Sequence, residues 1–209
     1  MTSLLRTWHL RSAAVIGLFA LSHIANHLVS LVGVDAHLRW MDGARLFYRQ
    51  PVVEGVLLAC VTFQAASGMW FVVRGWKGRC GMVPWLQALS GAYLALFLLA
   101  HVGAILYGRA VLHLDTNFYY AAAGFYVAPF GLFFAPYYFL GVLALFTHLA
   151  CAGYWHGRHR TALTRKLILG VPVAAGSMVA LLIVLSLDGR IQPVDMPAKY
   201  KATYQGEAR

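Results

Sequence analysis

Apolar residues fall along this chain in five long runs, separated by short stretches in which nearly all the charges are collected. A helix crosses a bilayer with about 20 mostly apolar residues. Five runs reach that length, near 12–33, 51–73, 85–107, 129–153 and 167–187. Their edges carry the expected punctuation. Trp8 and His9 suit an interface before the first run, and Arg11 can extend its stem along the lipid and keep its charge in water. Pro51 opens the second run, where a first helical turn tolerates it. The third follows Pro84, and the fifth has no charge between Lys166 and Asp188. The pattern predicts an all-α integral membrane bundle of five transmembrane helices, with residues 188–209 as a polar tail. Pro193 and Pro197 give that tail the character of an extended arm. The basic start and apolar stretch of the N-terminus imitate a signal peptide, but the run continues past any cleavage point. It reads as an uncleaved first helix.

Composition agrees. Of 209 residues, 60% are apolar and 11% charged, and mean hydropathy is +0.65. Soluble domains average about 45–50% apolar and about 25% charged, so a water-soluble domain and a disordered chain are both excluded. The net charge of +10 does not point to nucleic acid, because the cations sit at the ends of the apolar runs. With the N-terminus cytoplasmic, the inner segments carry nine cations (Arg6, Arg11, Arg74, Lys77, Arg79, Arg158, Arg160, Arg165, Lys166) and no acid. The outer segments carry eight cations with six acids, and four of those cations lie in the tail. Short loops close to helix ends set orientation most strongly, which predicts N-inside, C-outside in the cell inner (cytoplasmic) membrane. Cys60, Cys80 and Cys151 form no disulfide framework and have no metal spacing. Eleven aromatics crowd residues 118–139. They predict an aromatic belt with a short helix lying flat at the outer interface, or a wall around a ring-shaped ligand.

Ionisable groups inside spans are costly and therefore functional candidates. Span 1 has His23 and His27, span 2 has Glu54 and the neutral Gln64, span 3 has His101 and span 4 has His148. Depth tests their pairing. His101 lies 17 residues past Pro84, about 25 Å from the inner face at 1.5 Å per residue. His23 is 17 residues past Arg6, and His27 is 16 past Arg11. Either start puts a histidine of span 1 level with His101. Two neutral imidazoles facing each other at one depth are what a six-coordinate haem iron needs. Gln64 and His148 lie nearer the cytoplasmic end. An amide is a poor iron ligand beside imidazole, so His148 is left as a packing residue, the ligand of a five-coordinate haem, or a partner of a quinone. Glu54 stands three residues after Pro51, where a carboxylate suits the helix dipole. At a partly dry site it could also accept protons.

The motifs add a resemblance. Span 1 carries Gly17, an apolar run and His23. Span 3 reads Ser90-Gly91, then Phe97, then His101. Span 4 has His148 followed by Gly153. With five spans and an inner N-terminus, the chain resembles the five-helix cytochrome b membrane anchors of succinate:quinone and quinol:fumarate oxidoreductases. The resemblance implies haem b held by His23 and His101 toward the outer face, with His27 the alternative to His23. It puts His148 at the span 4 ligand position of a second, inner haem, whose span 2 ligand position holds Gln64. It likens Glu54 to a carboxylate that accepts protons from a quinol. It implies quinone as substrate, and iron–sulfur and flavoprotein subunits docked on the cytoplasmic side. There the basic segments 74–79 and 158–166 could receive them. The chain carries no flavin or nucleotide motif and no cysteine cluster, so such a subunit would transfer electrons without reducing fumarate itself. Two other readings stand beside it. One is a haem-poor structural subunit of a larger membrane complex, with Gln64 as a sign of lost cofactor. The other is a small transporter or proton channel, which the absence of paired half-sequences disfavours.

Overall fold

The computed structural model describes residues 2–205. The last four residues of the predicted tail, 206–209, lie outside them. The described residues are all-helical, with no strand. Eight α-helices follow in order: α1 (Thr2–Val29), α2 (Val34–Tyr48), α3 (Pro51–Arg74), α4 (Met82–Ala110), α5 (Phe118–Ala122), α6 (Gly131–His156), α7 (Ala162–Leu187) and α8 (Ala198–Gln205). Five of them, α1, α3, α4, α6 and α7, are long and apolar enough to cross a membrane. Leu18, Leu96, Leu149 and Val171 lie exposed on their outer surfaces, as side chains facing lipid do. The fold is that of a multi-pass membrane protein.

The spanning helices form a closed ring. Each of α1–α3, α3–α4, α4–α6 and α6–α7 packs in turn, and α1 returns against α7. Small residues set the approach, as expected where burial against lipid gains nothing and close van der Waals contact must hold the helices. A Cβ on Gly141 of α6 would stand 2.5 Å from the Phe97 ring of α4, and one on Gly108 of α4 would stand 2.6 Å from the Tyr120 hydroxyl. Turn chemistry supplies the boundaries. Pro51 occupies the first turn of α3. Gly81 takes φ +90° before α4, a conformation open to glycine and few others. The Thr161 hydroxyl accepts from the Thr164 amide at 3.2 Å and caps α7.

Two features depart from the sequence reading. The segment between the first two spans, for which the sequence reading names no element, forms the 15-residue helix α2. The predicted arm is not extended throughout. It turns back as α8, whose Tyr200 is sealed into a cluster with Phe118, Ala122, Ile183, Leu187 and Met196. α2, α5 and α8 thus cover one end of the ring. The opposite end has only short connections, which carry Lys77, Arg79, Arg158 and Arg160.

Candidate functional site

Under the covered end, four histidines from three helices meet. His23 and His27 are on α1, one helical turn apart and on one face. Their rings lie 4.7 Å apart, edge to face. His101 of α4 stands 6.0 Å from His23, centroid to centroid. His37 of α2 stands 5.2 Å from His27. Aromatic stacking fixes the outer members of the pair. Phe97 lies parallel to His101 at 5.2 Å, and Phe19 parallel to His23 at 5.6 Å. A cavity of about 70 Å³ opens among His23, Asn26, His27, His37, Tyr48 and His101. The structure therefore brings His23, His27 and His101 into one chamber.

Sequence reading missed the fourth histidine. Its signal was present in residues 34–48: Val34, Leu38, Met41 and Arg45 recur at helical spacing, with His37 on the same face. Met41 and His37 are both buried. His37 is also the best-determined ring in the chamber. Its Nδ1 lies 2.9 Å from the Asn26 main-chain carbonyl, which can only accept. Nδ1 therefore carries the proton, and Nε2 accepts from the Asn26 side-chain amide at 3.3 Å. Burial lowers the pKa of His37 to about 4, against the counter-pull of that carbonyl bond. The sign follows. Between pH 6.5 and about 4 a released His37 binds a proton that the packed one refuses, so packing of α2 weakens as pH falls through that window. Protection factors of the backbone amides in residues 34–48, taken against the intrinsic exchange rate at each pH, should fall from pH 6.5 to 4.5, and His37→Phe should flatten that dependence.

Two buried polar atoms at the chamber have no partner among the described residues: Asn26 Oδ1 and His27 Nδ1. Such atoms cost free energy unless a ligand or water meets them. Among the described residues no group of three His, Cys, Asp or Glu side chains is placed to hold an ion. Two rings of the chamber, His23 and His101, have the spacing that an iron between two axial imidazoles would require. Metal–nitrogen bonds of about 2 Å on each side, plus the ring radii, put two such rings about 6 Å apart, the His23–His101 separation. Neither ring has a hydrogen bond to another group among the described residues.

The other predicted residues fall elsewhere. Glu54 of α3 pairs with Arg109 of α4 through both terminal guanidinium nitrogens, a partner the sequence reading did not name. Gln64 is turned to α1: its amide donates to the His9 carbonyl and to the Ser12 hydroxyl at 2.8 Å. No hydrogen bond joins it to His148. That ring lies against α4, with Nδ1 3.1 Å from the Gln87 carbonyl and 3.3 Å from the Ser90 hydroxyl.

Fold and site together define a multi-pass helical membrane protein with a histidine-lined chamber at one end. Comparison with known proteins finds no matching family, no matching curated protein and no matching solved structure.

Proposed function

We propose that the chain is a haem b-containing membrane subunit that passes electrons between a quinone pool and a partner, in the manner of the succinate:quinone and quinol:fumarate oxidoreductase anchors. The observation that carries this reading is the facing of His23 and His101 from two helices at 6.0 Å. When bound there, haem supplies reversible one-electron transfer. The rest is done by the chain. Phe19 and Phe97 hold the two imidazoles in orientation, and the ring of apolar helices excludes water. Asn26 Oδ1 and His27 Nδ1, both without a partner among the described residues, offer an acceptor and a second nitrogen to the oxygens of a quinol head group at the same chamber. His27 and His37 extend the row toward the covered end, where protons leave on the outer side. Glu54 belongs to this reading as the α3 carboxylate, tied to Arg109. The basic opposite end, on the cytoplasmic side of the inner membrane, receives the iron–sulfur and flavoprotein partners.

A dithionite-reduced minus oxidised spectrum of the purified protein tests the proposal. A b-type α band is expected. Protein made under full haem supply that shows no such band would overturn it.

A further inference from the structure

An open groove of about 270 Å³ runs down the flank of the bundle between α1 and α3. Trp8 and Ser12 of α1 and Val56, Ala59, Cys60 and Phe63 of α3 line it. The α3 members recur at steps of three and four residues and so share one face of that helix. Ala59 and Cys60 are small, and the space they leave is the hollow. Ser12 brings the one hydroxyl, which is already engaged. It donates to the Trp8 carbonyl at 2.8 Å and accepts from the Gln64 amide at 2.8 Å. The groove therefore offers an occupant van der Waals contact and little else. Trp8 and Val56 are exposed along it, on two helices long and apolar enough to cross a membrane, so it opens to lipid.

The end of this groove nearer the basic loops carries charge. His9 bonds Ser67, and Ser12 bonds Gln64, so α1 and α3 run antiparallel with residue 9 opposite 67. Trp8 then stands opposite residue 68, two residues or about 3 Å from the level of Trp70. Trp70 is seven residues past Phe63 and continues the groove face of α3 toward the basic end. Each tryptophan has an arginine over it. The Arg11 guanidinium lies 5.2 Å from the Trp8 ring, and that of Arg74 lies 6.0 Å from the Trp70 ring. Rings of this kind hold a guanidinium in place without neutralising it. Neither arginine has an acidic partner among the described residues, whose ion pairs all lie at the covered end.

Exposed tryptophans and arginines at one level mark where spanning helices leave the hydrocarbon. Cations there attract the anionic head groups of the adjoining leaflet. A water-borne protein does not reach the flank of a spanning helix, and an uncharged tail would leave both guanidinium groups without a counter-ion. We propose that the α1–α3 groove seats one acyl chain of an anionic phospholipid, whose phosphate lies between Arg11 and Arg74. The lipid ties α1 to α3 at the basic end. The site is separate from the histidine chamber and holds whether or not that chamber binds haem.

The test is native mass spectrometry of the full chain in mild detergent. It is titrated with dioleoyl phosphatidylglycerol, or with dioleoyl phosphatidylcholine, which has the same chains and no net charge. One phosphatidylglycerol per chain should stay bound under activation that strips phosphatidylcholine. Arg11→Gln and Arg74→Gln should each weaken it about fivefold, the share of one cation facing an anionic head group. Arg160→Gln, an equal loss of charge at the same end but off the groove, should leave it unchanged. Ala59→Phe should weaken it with every cation kept, because the ring fills the seat. All four positions are exposed, so these substitutions leave the packed interior alone. Equal affinity for the two lipids, equal weakening by Arg160→Gln, or unchanged binding in Ala59→Phe would each overturn the assignment. So would a dimer that forms without lipid and excludes phosphatidylglycerol, which would give the groove to a second copy of the chain.

Discussion

His101→Ala should remove the whole contribution of the chamber haem: its α band, its redox step and one equivalent of haem per chain. His23→Ala should do the same, because an iron that keeps one imidazole in a ring of apolar helices has no other nitrogen at the right distance. His27 is the nearest substitute. It lies 4.7 Å from His23, but its ring is turned edge to face and packs against His37 on its other side. His27→Ala should therefore retain the chamber haem with an unshifted spectrum, while reduction of that haem by a soluble quinol slows at least tenfold. Optical spectra and stopped-flow reduction of the three variants make the comparison. Equal loss of haem from His27→Ala and His23→Ala would reverse the assignment of the axial ligand on α1.

The parts of this arrangement that could be read from the sequence are those that depend on distance along a helix. Apolar runs mark the five spanning helices, and a rise of 1.5 Å per residue puts one or the other of His23 and His27 level with His101. What the sequence could not supply was rotation about the helix axis. Spanning helices that are apolar all round have no hydrophobic face to mark the interior, so nothing told which side of α3 Gln64 occupies, or that it reaches α1. The start of the first span is set late for a related reason. Depth in the first span was counted from the cations Arg6 and Arg11, which placed His9 at the boundary, whereas α1 begins at Thr2 and carries His9 more than a full turn into the helix. α2 was overlooked because a 15-residue half-polar helix is too short to span and resembles a loop when only spans are sought. α8 is polar in composition, and only Tyr200 and its neighbours bind it to the core.

That binding predicts the largest effect on stability. Tyr200 is 2% exposed, stacks on Tyr119 at 5.9 Å, and donates its hydroxyl to the Asp115 carbonyl at 3.1 Å. Tyr200→Ala should cost about 3–5 kcal/mol, the range for emptying a buried aromatic site. Tyr200→Phe should cost about 1 kcal/mol, since it gives up one hydrogen bond and keeps the ring. Thermal unfolding in detergent measures both. The damage should reach the histidine chamber. Asp115 also holds Arg45 of α2 at 2.8 Å, Arg45 donates to the Thr116 carbonyl at 3.2 Å, and α2 carries His37. When α8 is released, the 115–116 segment loses the Tyr200 hydroxyl and is held only from the α2 side, by Arg45 and Arg49, so α2 loses the support beneath it. Faster hydrogen exchange in residues 34–48 of Tyr200→Ala, with the spanning helices unchanged, is the expected mark of that linkage. Uniform acceleration across the chain would instead show that the cap and the bundle unfold as one unit.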